Sequence, residues 1–437
     1  MKDRRAGLSL LIFILAVHIA FLLPQSSQFS AVTEGYSPTT CPGALNSARA
    51  TLLLPSAKVG TKYISSLRSN FTTSSSGTFQ LSKGAIIVQG DPRNTLELQS
   101  KSGSWTSGIT CNAGSTESWF VGGSAGVTSQ SKLAIDNSGL SDATVEITTF
   151  SENGPSAAQS FTIAAASERI IRLDALNPGA DKLVTKVSVM SGRVTAYLLD
   201  ERVKGLKNLG GDFVPAVTSP SQNLVIAGIP GTLGKESTVT SILRVLAPGK
   251  IDGSLSVEVI SPSGVFVPVD LGEVNFNSQE VIEIPLKNIQ VGKDNFAIRI
   301  ASTTPIVAGV YAEGKRKKNF SDFTWHSALS PFQNSTFNLY GLTPTITFVS
   351  PKISVAVEWR DNRGKVYRKN LKGDEILNWQ VPANTRTVRL STFTGTSASM
   401  TWTSADGLGT IAITNGSTLA SATRPVAEIS VIQPRHS

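Results

Sequence analysis

The chain has 437 residues, 40% of them hydrophobic and 16% charged, with a formal net charge of +9. So few charges alongside so much apolar material exclude a disordered chain and a coiled coil, and three histidines with two cysteines leave little for metal sites or histidine-based catalysis. At roughly 150 residues per domain, the length predicts about three domains.

Lys2, Arg4 and Arg5 precede an apolar run from Gly7 to Leu23 that only Ser9 and His18 interrupt. As a helix this run spans about 26 Å, near the lower limit for crossing a bilayer. It is longer than the usual h-region of a secretory signal, and Leu23-Pro24-Gln25-Ser26 lacks a small-x-small cleavage site. The reading is a single-pass anchor at residues 7–23, with the N-terminus cytoplasmic and the bulk outside. A cleaved signal is the alternative, separable by the size of the mature protein. His18 has no second span to relay a proton to and reads as a tolerated polar residue.

An exported chain with two cysteines predicts one disulfide, Cys41–Cys111. The segment between them is rich in Ser, Thr and Gly, so a staple there offsets a thin core. Neither cysteine has a basic neighbour close in sequence that would favour a reactive thiolate.

Beyond the anchor, short runs alternate apolar and polar residues between Gly, Pro, Asn and Asp turns, the pattern of strands. Leu255, Val257 and Val259 share one face, as do Phe296, Ile298 and Ile300. Ile353–Trp359, Asp361-Asn-Arg-Gly364 and Lys365–Arg368 read as strand, turn, strand. Ala44 to Leu54 is the one short helical candidate. The stretch from Trp119-Phe-Val-Gly-Gly123 to about Arg202 repeats from Leu224-Val-Ile-Ala-Gly228 to about Gly314. Lys132–Ile135 faces Ile242–Val245, Ala143–Ile147 faces Leu255–Val259, and Arg169–Leu173 faces Glu280–Ile284. The predicted fold is all-β: tandem antiparallel immunoglobulin-like β-sandwiches after one N-terminal transmembrane helix. The expected divisions are 1–35 for anchor and linker, 36–218 for the disulfide-tied segment plus the first repeat, 219–330 for the second, and 331–437 for a smaller β-module and tail.

Several motifs invite a chemical reading and lose it on inspection. Gly122-Gly-Ser-Ala-Gly126 has the letters of a nucleophile elbow but is followed by a poor helix start. Gly228 to Ser237 misses the phosphate-loop spacing and carries Glu236 where a hydroxyl belongs. Ser129 and Lys132 lack the companion elements of penicillin-recognising enzymes and alternate across a strand. Trp359, Trp379 and Trp402 share faces with apolar neighbours, which favours core anchors over a sugar platform. Asp200-Glu201 reads as a solvated strand edge, and nothing places it with Asp322. The cluster Lys315, Arg316, Lys317 and Lys318 is the candidate contact for an anionic polymer. No catalytic, cofactor or metal site is predicted, and no nucleic-acid motif is present.

The anchor, Cys41-Pro42 with Cys111, Trp119-Phe-Val-Gly-Gly123, Gly228-Ile-Pro-Gly231 and Thr304-Pro-Ile-Val-Ala-Gly309 occur in an order that resembles an exported, membrane-anchored actinobacterial family classed as a domain of unknown function. The resemblance spans roughly Met1 to Ser330. It implies an envelope protein of a Gram-positive cell with no assigned activity, similar to proteins encoded near a large membrane glycosyltransferase, and it supplies no catalytic residues. The expected function is that of a non-catalytic structural or interaction protein of the cell envelope, meeting another envelope protein or an anionic wall polymer. The alternatives are a glycan-binding protein, an accessory subunit of a membrane glycosyltransferase and, less favoured, a hydrolase.

Overall fold

Alternating apolar residues make these strands, and in the computed structural model they pair into antiparallel sheets throughout. The structure describes residues 14, 15, 18, 34–56, 58–66, 68–82, 84–232, 237–287, 289, 291–316, 320–405, 407–416 and 419–422. The expected anchor lies outside them apart from Ile14, Leu15 and His18. Among the described residues no helix is long and apolar enough to cross a membrane. Contacts divide the chain into Tyr36–Thr418 and a unit made of its two ends, Met1–Gly35 with Leu419–Ser437.

Within Tyr36–Thr418, the first strands form two four-stranded sheets. One runs Thr39–Cys41, Ile86–Val88, Gly60–Tyr63, Thr72–Thr73; the other runs Thr78–Gln80, Arg49–Leu53, Leu96–Lys101, Trp105–Thr110. Ala50, Leu52, Leu54, Ile86 and Val88 fill a core between them, and Cys41 is bonded to Cys111 beside it. The expected helix at Ala44–Leu54 is not formed. Ala50, Leu52 and Leu54 are buried at a spacing of two, which a strand satisfies and a helix cannot, and positive φ at Asn46 and Ser47 turns the chain into that strand.

The two stretches aligned as a repeat have the same strand pairing. In the first, Gly154–Pro155, Ala143–Ser151, Val184–Ser191, Glu117–Val121 and Ala216–Val217 form one sheet, and Ser167–Arg172, Lys132–Asn137, Val194–Lys204 and Lys207–Val214 the other. In the second, Gly264–Phe266, Gly253–Ser261, the first half of Phe296–Arg316 and Ser221–Ile229 correspond to the former. Val281–Pro285, Ser237–Leu246, the second half of Phe296–Arg316 and Phe320–Ser327 correspond to the latter. Phe296–Arg316 serves both sheets without a break. Its counterpart is split at Gly192, whose φ of +91° turns the backbone and whose missing Cβ would strike Ala143. Each sheet pair closes on an apolar core.

The last strands, Phe332–Asn338, Thr385–Thr403, Thr345–Asp361 and Val366–Gln380 in that order, with Leu408–Ile413 beside Thr385–Thr403, form one five-stranded sheet. Leu53 and Leu96 complete its core, and Asn94 Nδ2 donates to Ser335 Oγ at 2.9 Å, so early and late strands share an interior. The turn expected at Asp361–Gly364 joins Thr345–Asp361 to Val366–Gln380.

Opening the disulfide frees a loop of 70 residues' separation. Replacing both cysteines by serine should lower stability by about 4 kcal/mol in the chain-entropy account. Denaturant unfolding of the two proteins measures it; an unchanged midpoint would show that the loop is held by packing alone.

Candidate functional site

The chemically suggestive motifs are used to join strands. Ser124 is buried in a turn before Lys132–Asn137, where its Oγ accepts the Gly126 N–H at 3.0 Å. The Gly123 carbonyl accepts Arg244 Nη1 at 2.7 Å, so the elbow-like turn is a docking point for the second repeat. Ser129 Oγ lies 2.8 Å from Ser131 Oγ, while Lys132 is paired within a sheet. In the phosphate-loop lookalike, the Gly228 carbonyl accepts Thr401 Oγ1 at 2.8 Å; residues 233–236 lie outside the described ones. Lys315 pairs with Glu313 at 3.1 Å, Arg316 continues its strand, and Lys317 and Lys318 lie outside the described residues. Trp379 and Trp402 are buried, and half-buried Trp359 stacks on Tyr367 with centroids 5.3 Å apart.

Asp200-Glu201 is not a solvated edge. Both residues are fully buried, as are Asp212 and Asp322, because the N-terminal strands, the second repeat and the C-terminal sheet all close over this end of the first repeat. The Asp322 carboxylate accepts N–H groups from Gly211 (3.1 Å), Phe323 (2.9 Å) and Leu408 (2.7 Å). Asp212 accepts Ser107 Oγ at 2.5 Å and Trp325 N at 2.8 Å. Asp200 accepts Ser131 Oγ, Trp325 Nε1 and Arg202 Nη2 at 2.7, 2.9 and 3.0 Å. Glu201 takes Lys101 Nζ at 2.8 Å and Trp105 Nε1 at 3.1 Å. Gly210 and Gly211 permit the approach: a Cβ on the first would meet Asp322, and one on the second the Trp105 ring. Burial pushes the Asp212 and Asp322 carboxyls up, and their donors pull back part of that rise. Arg244, also buried, pairs with Glu283 at 2.7 Å and lies over the Trp325 ring. Each of these acids accepts at least two donors from other strands, although Glu201 Oε2 has none among the described residues, and the contacts make the cluster a junction.

Exposed chemistry is concentrated on the C-terminal sheet. Past a register shift between Ser350 and Ile353, the outward positions of Thr345–Asp361 are Lys352, Ser354, Ala356, Glu358 and Arg360. Pairing sets Arg368, Asn370 and Lys372 beside them on one flank, and Arg389 and Ser391 on the other. Glu358 is the acid of this face, and it is held by Arg368 at 2.7 Å. Among the described residues, Lys352, Arg360, Lys372 and Arg389 make no ion pair. Residues 345–403 carry nine Lys and Arg against four Asp and Glu, much of the chain's charge excess. The basic residues of Lys315–Lys318 are adjacent in the chain; those of this face are adjacent across strands.

A family model described as a family of unknown function (DUF5719) matches residues 93–372. The chain belongs to that family. The match runs from the N-terminal strands through both repeats into the long hairpin of the C-terminal sheet. A search of curated proteins finds no match. Among solved structures, one of Thermotoga maritima 1070 is 15% identical, with 25% of this chain and 93% of that one covered and a TM-score of 0.21. Another, of a tetra-tandem repeat in the extending region of a large adhesion protein, is 10% identical over 89% of this chain and 94% of that one, with a TM-score of 0.11. At these scores neither carries an argument about this chain.

His326 adjoins the junction, with Nε2 2.9 Å from Thr324 Oγ1. Burial lowers its pKa to about 4, so it is neutral in the folded protein. The unfolded chain takes up that proton near the ordinary value of about 6.5. The corresponding stability is therefore complete above about pH 6.5 and lost as pH falls toward 4. From about pH 7 to about pH 5, the difference in unfolding free energy between wild type and His326→Gln should shift by about 2 kcal/mol in the variant's favour. Urea titrations at each pH measure the shift; a constant difference would mean that His326 does not titrate between the two states.

Proposed function

We propose that this chain is a non-catalytic interaction protein of an actinobacterial cell envelope: exported, held at the membrane by residues 7–23, and built of immunoglobulin-like sheet pairs that support a cationic binding face. The proposed ligand is an anionic polymer of the envelope. One observation carries the reading, the exposed outward face of the C-terminal sheet with Lys352, Arg360, Arg368, Lys372 and Arg389.

The layout suits an extended polyanion. Asn334, Ser391, Ala356 and Asn370 lie side by side across four strands, a row of short side chains. The row carrying Arg389 and Arg368 borders it on one side, and the row carrying Lys372 and Ser354 on the other. A chain of acidic groups lying along the short row reaches cations on both sides, while amides and hydroxyls in the row offer hydrogen bonds. Each exposed charge contributes little by itself. Several at once give binding that depends on the length of the polymer and on salt.

The triple variant Lys352→Ser, Lys372→Ser, Arg389→Ser should bind an immobilised acidic wall polysaccharide about tenfold more weakly than wild type. Wild-type binding should fall steeply as salt is raised. Lys315→Ser should bind as wild type does, since Lys315 already has Glu313 as its partner. Equal retention of the triple variant, or retention insensitive to salt, would exclude this face as the contact.

A further inference from the structure

A second group of acids lies between the N-terminal strands and the first repeat, and more of its carboxylate oxygens lack a partner than do those of the junction, where only Glu201 Oε2 does among the described residues. Asp136, on Lys132–Asn137, is directly opposite Glu168 on one neighbouring strand and Thr195 on the other, so the three side chains stand in a row on one face. That face is the one carrying Ala134, Tyr197 and Leu199, which pack on Trp105, Ile109 and Leu45. Glu97 projects from the N-terminal side. Asp136 and Glu97 are completely buried and Thr195 nearly so.

Among the described residues, both carboxylate oxygens of Asp136, Oε2 of Glu97 and Oγ1 of Thr195 have no hydrogen-bond partner. The surrounding groups are otherwise fully committed. Gln99 Nε2 donates to Glu97 Oε1 at 2.6 Å and to the Gly43 carbonyl at 3.0 Å, while its Oε1 accepts Leu45 N at 3.1 Å. Glu168 accepts Gly43 N at 2.8 Å and Ala85 N at 3.2 Å. Tyr197 Oη accepts Asn112 N at 2.8 Å and donates to the Thr40 carbonyl at 2.5 Å. Cys41 and Cys111 sulfurs lie within 4.8 Å of a Glu97 oxygen, but their bond to each other removes them as thiolate ligands.

Ionised carboxylates sealed from water need a counter-charge, and the charged groups bearing on Asp136 are Glu168 and Glu97, both of its own sign. One proton shared between two carboxyls would answer two of these four oxygens and leave the other two without a partner. What satisfies four free oxygens at once is a hard cation. Its donors here are carboxylate and hydroxyl only, the set that favours calcium over thiophilic or imidazole-seeking metals. Gln99, by occupying one oxygen of Glu97, leaves the other to the ion, the usual work of an outer-sphere amide.

We propose that Asp136, Glu97 and Thr195 form the protein part of a calcium site that joins the disulfide-tied N-terminal strands to the first repeat. Calcium takes about six to eight oxygens, so water or backbone carbonyls complete the shell. The site is independent of the cationic face on the C-terminal sheet. It acts on folding: the ion is bound by the assembled pair of segments and has no equivalent in the unfolded chain.

The full-length chain, stripped with EDTA and then dialysed against calcium chloride, should retain one calcium per molecule by atomic emission. Its melting temperature should stand several degrees higher in calcium than in EDTA. Terbium in place of calcium should luminesce on tyrosine excitation, through Tyr197, and added calcium should quench that emission. Asp136→Asn should lose both the retained metal and the thermal shift. Wild-type protein that retains no calcium and melts identically in calcium and EDTA overturns the proposal, whether or not the variant folds. A folded Asp136→Asn protein that keeps its calcium overturns it as well.

Discussion

A sheet covered on both faces leaves its polar side chains no water to turn to, and that constraint shapes the centre of this molecule. In the first repeat, Leu133, Ile135 and Leu198 face the partner sheet, while Ala134, Tyr197 and Leu199 face the N-terminal strands. An isolated sandwich would wet its outer faces and could place acids there freely. Here Asp136, Asp200, Glu201 and Asp212 sit on strands whose surroundings are protein on every side. An unpaired polar group in such a place costs several kcal/mol, and each must find its partner within the fold.

The junction acids meet this demand by reaching across segment boundaries. Asp322, from the second repeat, holds backbone N–H groups at Gly211 of the first and at Leu408 of the C-terminal sheet. Asp212 joins Ser107 of the N-terminal strands to Trp325 of the second repeat. Arg244 does the same for Gly123 and Leu183 while keeping its charge paired with Glu283. Removing any one of these strands exposes acids that the others had satisfied. That mutual dependence gives a physical reason why Tyr36–Thr418 is one compact unit although two of its stretches are repeats of each other.

What the sequence made legible follows from short-range pattern. The period-two runs at Leu255–Val259 and Phe296–Ile300 mark strands because one apolar face must be buried, and the repeat shows because corresponding strands need the same faces. The same rule misleads where both faces are covered. Leu96-Glu-Leu-Gln99 alternates so cleanly that Glu97 and Gln99 read as solvent-facing, yet both are buried. Asp200-Glu201 reads as an edge for the same reason, since nothing local announces Trp105, Trp325 and Lys101 arriving from elsewhere in the chain. Ala44–Leu54 looks helical until the strands that flank it are known. The cationic face was invisible in a different way. Lys352, Lys372 and Arg389 are far apart in sequence and meet only through the register of a hairpin and its neighbour, whereas a run such as Lys315–Lys318 draws the eye while its first member is already paired with Glu313.

The buried acids and the exposed cations belong to one electrostatic argument. Among the described residues, six acids, Glu97, Asp136, Asp200, Glu201, Asp212 and Asp322, are withdrawn from the surface, against one arginine, Arg244. The formal charge of +9 counts these acids as if they opposed the surface lysines and arginines. Asp200 and Glu201 are paired with Arg202 and Lys101, and burial raises the Asp212 and Asp322 carboxyls toward their neutral form. The face presented to the surroundings is therefore more cationic than composition implies. The cations not answered by a neighbouring acid are concentrated where the C-terminal sheet continues past its bulge. Packing that hides acids in the interior thus leaves a polyanion-attracting surface without requiring an unusual number of basic residues.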